Sequence, residues 1–127
     1  IAGHAGLFST AAELARFGQQ WLDAVRGRVP DWLPPSIAQE ATRRQAGDRG
    51  LGWVIRPVPC EDCSAGERFS PASFGHTGFT GTSLWIDPGR ELVAALLTNR
   101  VYHGRDPAAI TAFRPRVHDA LCACLDS

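Results

Sequence analysis

Apolar residues recur at helical spacing near the start of the chain and predict its first element. The stripe has four members, three or four positions apart: Leu14, Phe17, Trp21 and Val25. Thr10 and Glu13 have the spacing of a capping box, in which each side chain accepts the backbone N–H of the other residue. Gly27 provides a C-terminal stop. A second, shorter helix is predicted from about Pro35 to Arg43, entered through a pair of prolines.

From residue 50 onward the pattern changes to short runs of aromatic and β-branched residues, which favour strands. Residues 50–56 predict one strand, and residues 82–87 and 91–98 predict a hairpin. Its turn, Asp87–Arg90, has Pro and Gly at the positions that suit a type II turn. Both alternating faces of Leu92–Leu97 are apolar, which is typical of a strand covered on two sides. The sequence therefore predicts a layered sheet with helices on each face.

The C-terminal segment predicts helix in two pieces. Pro115 lacks a backbone N–H, so we expect a short turn or helix around 107–113 and a main helix from about Pro115 to Leu125. Its expected buried stripe has four members: Val117, Ala120, Leu121 and Cys124. Residues 57–72, rich in Pro, Cys and Ser, are expected to form an irregular loop. Together these elements predict one domain over residues 1–127, of the α/β class with an α+β layered arrangement of helices and antiparallel strands.

The composition removes several classes of function. All thirteen basic residues are arginine and balance thirteen acidic residues, and a net charge of zero argues against nucleic-acid binding. The longest apolar run is far too short for a transmembrane segment. Without lysine the chain cannot itself supply a Schiff base, a phosphate-loop lysine or a Ser-x-x-Lys pair, and no pattern indicates a cofactor. The absence of methionine predicts a processed chain or a piece of a longer protein.

The four cysteines leave three interpretations open. Cys60 and Cys63 form a Cys-x-x-Cys pair in the irregular loop, which suits half of a zinc site or a redox or structural disulfide. Cys122 and Cys124 make a poor second half, because residues two apart on a helix point in different directions. Inert thiols are the default interpretation.

The segment Phe74–Thr82 (FGHTGFTGT) differs from its surroundings. Three glycines interrupt an expected strand, where glycine costs stability unless something must approach the backbone closely. The spacing does not fit a dinucleotide fingerprint, and a phosphate loop would need a lysine. His76 can donate, accept or carry a proton near neutral pH, and the Thr77 hydroxyl can bind a carboxylate or carbonyl oxygen. On a regular strand these two neighbours face opposite sides.

His76-Thr77-Gly78, followed by a Thr-Gly-Thr-Ser-Leu-Trp-Ile-Asp-Pro run and a hairpin, resembles the third motif of the serine β-lactamase-like family. That family includes class C β-lactamases, low-molecular-weight penicillin-binding proteins and related esterases. Three further stretches agree with the family in the same order: Ala2–Phe17, Gly50–Trp53 and Arg114–Leu121. The resemblance covers nearly the whole chain, with loop 57–72 as its main departure.

The resemblance implies a mechanism and a set of site residues. In the family, the serine of Ser-x-x-Lys attacks a carbonyl and forms an acyl-enzyme. By analogy His76 stands where the family more often has lysine, and Thr77 would hold polar groups of the substrate. Gly78 would leave room for the substrate alongside the strand, and the backbone N–H of Phe79 would be half of the oxyanion hole. His4 would reach the same cleft or position its loop.

The family's other two motifs are not in this chain. Ser-x-x-Lys needs lysine, and the sole tyrosine, Tyr102, is followed by Gly104 where the family has Asn. The expectation is therefore a C-terminal segment, inactive alone, of a hydrolase whose N-terminal part would be its partner, acting on a small-molecule or peptide acyl substrate. The alternatives are a non-catalytic relative that binds cell-wall peptide, or a cysteine-based metal or redox module. An unpaired sheet edge would also allow self-association of the segment.

Other polar residues have structural interpretations. His118 lies beside the expected stripe of the last helix and is interpreted as a packing or hydrogen-bonding residue. A local triad of His118 and Asp119 with Ser83 or Ser73 is disfavoured, because adjacent residues on a helix diverge and no nucleophile-elbow motif surrounds either serine.

Overall fold

The computed structural model describes residues 5–29 and 31–127. In these ranges the chain forms three α-helices and four strands, with a short 3-10 helix at Arg100–His103. In chain order they are α1 (Ala11–Val25), α2 (Pro35–Thr42), β1 (Val54–Ile55), β2 (Phe74–Thr77), β3 (Ser83–Asp87), β4 (Leu92–Leu96) and α3 (Ala108–Leu125). The strands form one antiparallel sheet in the order β1-β2-β3-β4. The predicted class, helices flanking antiparallel strands, is confirmed.

The predicted capping box opens α1. The Thr10 hydroxyl accepts the Glu13 N–H at 3.2 Å, and the Glu13 carboxylate accepts the Thr10 N–H at 2.9 Å. Gly27, just past the helix, has φ +83°, a conformation that glycine adopts without strain. The predicted apolar stripe is displaced, because Gly18 and Leu22 form the buried face and Phe17 is 41% exposed. A side chain at position 18 would collide with the sheet, and only glycine lets the helix lie this close.

The central strand β3 is buried along its whole length, between β2 and β4. One face of the sheet packs under α1 and α2, and its cluster includes Leu22, Phe74 and Ile86. The other face packs under α3 and loop 57–72 around Trp85. The expectation that β4 is covered on two sides is confirmed, since Val93 and Ala95 pack against the α1 cluster on one face and Leu92 and Ala94 pack around Trp85 on the other. Only its middle residue is fully buried, because β4 is the last strand of the sheet.

Loop 57–72 has no regular structure, as predicted, but it is part of the core. Phe69 inserts beneath the sheet and meets the Trp85 ring edge-on, at a centroid distance of 6.4 Å. The buried Arg56 guanidinium donates to the carbonyl oxygens of Gly66 and Glu67 at 3.2 and 3.0 Å. Satisfied backbone carbonyls allow an irregular segment to lie this deep.

The β3–β4 turn differs from the predicted type II turn. Gly89 does not have the positive φ that type II requires, and Glu91 has it instead, at +53°. The buried carboxylate of Asp87 is the cause: its Oδ1 accepts the N–H groups of Gly89 and Arg90 at 2.9 and 3.1 Å. An aspartate that closes its own turn in this way competes with the type II geometry.

Helix α3 is continuous through Pro115, so the expected division into two pieces is wrong. Its predicted stripe is also wrong, because Val117 is only half-buried and the other three members are exposed. The buried side chains recur every four residues: Ile110, Arg114, His118 and Cys122. Arg114 and His118 are polar and bond to groups across the domain, so tertiary contacts on both sides of Pro115 hold the helix together although Pro115 cannot donate a backbone hydrogen bond.

Candidate active site

The candidate site lies at the end of β2, where one edge of the strand is open. β1 pairs only with Phe74 and Gly75. His76 and Thr77 are paired on the β3 side alone, opposite Leu84 and Ser83. Within the described residues their other edge therefore has no partner strand. An extended ligand could add to the sheet there by β-strand pairing.

The two side chains of this strand end face opposite sides of the sheet, as predicted. His76 is exposed and Thr77 is half-buried. The His76 Nδ1 lies 2.9 Å from the Thr77 carbonyl oxygen. Since a carbonyl only accepts, Nδ1 donates this bond and Nε2 of the neutral ring is left as an acceptor.

A tight turn, residues 78–82, follows directly. The Gly78 N–H donates to the Thr82 carbonyl at 2.8 Å, and the Gly81 N–H donates to the Gly78 carbonyl at 3.0 Å. Gly81 has φ +102°, and a Cβ at Gly78 would collide with the Thr82 hydroxyl oxygen. Gly75 lies against the Trp85 ring, which a Cβ would approach to 2.5 Å. Gly75 and Gly81 are thus required by the chain itself, whereas the only close neighbour of a Cβ at Gly78 would be the Thr82 side chain.

Every carbonyl of this turn accepts a hydrogen bond. Arg114 Nη2 donates to the carbonyls of Gly78 and Thr82, at 2.8 Å each. The Arg100 Nε donates to the Phe79 carbonyl, and its backbone N–H donates to Thr80 at 3.0 Å. The Gly81 carbonyl accepts the Thr98 hydroxyl at 2.8 Å. The Phe79 N–H, in contrast, has no acceptor among the described residues.

Arg114 and Arg100 are the residues that the sequence analysis did not place at the site. The sequence pattern places Arg114 only at the start of the family-like stretch Arg114–Leu121, and in the structure its side chain reaches the turn from 36 residues further along the chain. Its side chain is 8% exposed and pairs with no carboxylate in the described part of the chain. Burial lowers the pKa of its guanidinium, and the charge of Arg100 acts in the same direction. The sequence does contain one signal for Arg114: a charged residue among the apolar positions of a helix is buried only when it has a partner.

His76, Thr77, Gly78 and Phe79 are therefore brought together as one contiguous surface, whereas His4 lies outside the described residues. The roles expected for these residues stay predictions.

Ser83 and His118 form a second polar pair, but not a triad. Nε2 of His118 lies 3.3 Å from the Ser83 Oγ, and both residues are buried. The other ring nitrogen donates to the Ser64 carbonyl at 2.7 Å, while the Asp119 carboxylate accepts the Arg68 N–H. The expected divergence of His118 from Asp119 is confirmed, and the interpretation of His118 as a hydrogen-bonding residue holds.

Cys60 and Cys63 are joined in a disulfide, which consumes the thiols that a zinc ion would need as thiolates. Across residues 5–29 and 31–127, no cluster of three or more His, Cys, Asp or Glu is arranged to hold a metal ion. Cys122 and Cys124 are free thiols, one buried and one exposed. No helix in the described ranges combines the length and apolar character needed to cross a bilayer.

Comparison with known proteins places the chain in a family. The family model described as Beta-lactamase matches residues 1–116. Proteins of Salmonella paratyphi B and Salmonella newport, each named "Putative D-alanyl-D-alanine carboxypeptidase", are 35% identical over 120 residues, which is 92% of this chain and 27% of each of theirs. The crystal structure of a beta-lactamase from Mycobacterium bovis matches with a TM-score of 0.72 at 28% identity, over 91% of this chain and 44% of that one. The chain thus spans only part of the length of each relative.

Proposed function

Because the chain belongs to the beta-lactamase family, we propose that it forms the C-terminal part of a serine acyl-transfer hydrolase of the β-lactamase, D,D-carboxypeptidase or esterase type. The observation that carries the proposal is the juxtaposition at the end of β2. An open strand edge at His76 and Thr77 leads directly into a turn whose Phe79 N–H is unpaired among the described residues. A substrate lying along the edge would bring its carbonyl oxygen to that N–H.

Each residue of the surface then has a chemical task. The Thr77 hydroxyl would bond a polar group of the substrate, and the free Nε2 of His76 would accept a proton from it or, when protonated, bind a carboxylate. The Phe79 N–H would donate to the oxyanion of the tetrahedral intermediate. An imidazole is a weaker carboxylate anchor at neutral pH than a lysine ammonium, so the substrate preference need not follow that of relatives with lysine at this position.

The nucleophile must come from outside these 127 residues. The chain has no lysine to activate a Ser-x-x-Lys serine, and it matches 27% of the length of the Salmonella relatives. In the proposed enzyme, a preceding part of the same protein supplies that serine and faces the open edge of β2. The substrate is a small-molecule or peptide acyl compound, and the segment alone is inactive.

Acylation of the complete protein tests the proposal. Incubation with a penicillin or an activated ester, followed by mass spectrometry of the digested protein, should locate one acyl group on a serine outside this segment. The His76→Ala variant should lower kcat/KM by about tenfold or more, which corresponds to the loss of about 1.4 kcal/mol of transition-state stabilisation. His103→Ala, a change at an exposed histidine of the 3-10 helix, is the matched control and should leave kcat/KM unchanged.

Two results would overturn parts of the proposal in different ways. Acylation unaffected by His76→Ala would mean that β2 does not border the cleft. A complete protein that binds cell-wall peptide in calorimetry, yet never becomes acylated, would be the non-catalytic relative instead.

A further inference from the structure

The peptide unit between Gly78 and Phe79 is held from one side only. A peptide is planar and trans, so its C=O and N–H point in opposite directions. The Gly78 carbonyl accepts Arg114 Nη2 at 2.8 Å and the Gly81 N–H at 3.0 Å. The Phe79 N–H of the same unit consequently points away from Arg114. Rotating this N–H would break both bonds to the Gly78 oxygen.

From this geometry we infer that Arg114 is a positioning residue for catalysis: its guanidinium fixes and polarises the peptide that presents the Phe79 N–H to the substrate. The inference rests on the proposed function and adds to it a residue on α3 that does not touch the substrate. The donor, the Phe79 N–H, then lies at the surface, and the group that orients it, the Arg114 guanidinium, lies buried beneath.

Position and charge suit Arg114 to this role. The same Nη2 atom also bonds the Thr82 carbonyl at 2.8 Å, so one nitrogen ties together both ends of the turn. The side chain is 8% exposed, and a charge-assisted hydrogen bond is stronger where water is excluded. A cation bonded to the carbonyl draws electron density from the peptide, which makes the N–H at the other end a better donor. The effect is largest when negative charge develops at the oxyanion.

Arg100 provides a useful contrast within the same turn. Its Nε bonds the Phe79 carbonyl, which belongs to the next peptide unit, and its guanidinium carbon lies 4.3 Å from the centroid of the Phe79 ring. Arg100 therefore fixes the Phe79 ring and the peptide unit that carries the Thr80 N–H. Among the arginines of the described residues, Arg114 is therefore the one that bonds the peptide unit of the Phe79 N–H.

The test compares Arg114→Gln and Arg114→Lys with the matched control Arg116→Gln in the complete protein. Arg116 is exposed two residues further along α3. Removing a direct oxyanion donor costs about 10²–10³ in kcat, and disordering one should cost less, about tenfold. We expect Arg114→Gln to lower kcat about tenfold with little change in KM, because the oxyanion exists only in the transition state. Arg114→Lys, which keeps the charge, should recover part of the loss, and Arg116→Gln should match the unsubstituted protein.

Affinity for a phenylboronic acid supplies a readout that a purely structural role would not move. A boronic acid forms a tetrahedral adduct with a nucleophilic serine, and its oxygen occupies the oxyanion position. In Arg114→Gln this affinity should fall by the same factor as kcat. The concentration of active sites is determined by titration with an acylating reagent, so that kcat is expressed per active site. The inference is overturned if Arg114→Gln lowers only the number of active sites or the Tm, with kcat per site and boronate affinity unchanged.

The remaining outcomes are also decisive. If Arg114→Gln does not fold, the same comparison is made with Arg114→Lys, whose kcat and boronate affinity per site must both lie below those of Arg116→Gln. An unsubstituted protein that is never acylated would refute the proposed function itself, a result distinct from an active protein that is indifferent to Arg114.

Discussion

His118 shows how one buried titratable residue couples this fold to pH. The ring is fully buried, and both nitrogens are bonded in the neutral form: Nδ1 donates to the Ser64 carbonyl and Nε2 accepts the Ser83 hydroxyl. Burial lowers the pKa of His118 from 6.5, and the positive charge of Arg114 adds to the effect. The Ser64 carbonyl and the Asp119 charge oppose it without reversing the direction. The folded protein therefore holds this histidine neutral where the unfolded chain begins to protonate it.

The predicted consequence is a loss of stability on mild acidification. As the pH falls below about 6.5, the unfolded chain takes up the proton first, so the free energy of unfolding decreases and keeps decreasing toward the folded-state pKa. Urea unfolding at pH 7.5, 6.5 and 5.5 measures this slope, and the His118→Asn variant should have a shallower one. His103→Asn, at an exposed histidine, is the control and should keep the original slope. Equal slopes in all three proteins would show that His118 is not the coupled group.

At the scale of elements, the contact between α1 and the sheet depends on the absence of a side chain at Gly18. A Cβ there would lie 2.5 Å from the Val93 Cγ1 and 3.2 Å from the Leu84 Cδ1. Alanine is the better helix former by about 1 kcal/mol, but overpacking a core contact costs about 1–3 kcal/mol. Since the Val93 side chain is β-branched and stiff, the overpacking cost should exceed the gain in helix propensity.

We therefore expect Gly18→Ala to lower the free energy of unfolding by about 1–2 kcal/mol, measured by urea denaturation. The matched test is the same substitution in a Val93→Ala background, where the colliding methyl group is gone. There Gly18→Ala should cost nothing or stabilise the protein, giving a coupling energy in the double-mutant cycle. Additive effects of the two substitutions would contradict the assigned contact.

Which elements the sequence could predict depends on whether their cause is local. The α1 boundaries follow from the capping box at Thr10 and the glycine at position 27, and the hairpin follows from two apolar runs that flank a Pro-Gly turn. The buried stripe of α3 could not be found in the same way. Hydrophobicity favours Leu121, whereas the helix buries Arg114 and His118, whose burial is stabilised by partners 36 and 54 residues away.

The residues of the candidate site likewise differ in whether a local sequence pattern identifies them. The His-Thr-Gly run is contiguous, so its pattern could be recognised from the residues and places the candidate donor Phe79 beside it. The bonds from Arg114 to the turn exist only because α3 packs across the end of the sheet. A sequence pattern contains the first kind of information and not the second.

At the scale of the whole molecule, the outer backbone edge of β4 is left without a partner strand in the described structure. This strand pairs with β3 alone in the described structure, and its sequence, LVAAL, is entirely apolar. An unpaired apolar edge is a template for another strand. We propose that chain outside these 127 residues covers this edge in the complete protein, since the relatives are longer than the matched segment.

The isolated 127-residue chain should then cover the same edge with a second copy of itself. Sedimentation velocity over a range of concentrations is expected to show reversible self-association. Leu97→Lys, directly after β4 and already 38% exposed, should shift the equilibrium toward monomer, because a charged side chain beside an edge strand disfavours strand pairing. Leu121→Lys is the matched control: it makes the same change at a similarly exposed leucine that lies on α3 and not on the sheet, and should not alter the equilibrium. A chain that stays monomeric at all concentrations, or one that both lysines affect equally, would show that β4 is not the associating surface.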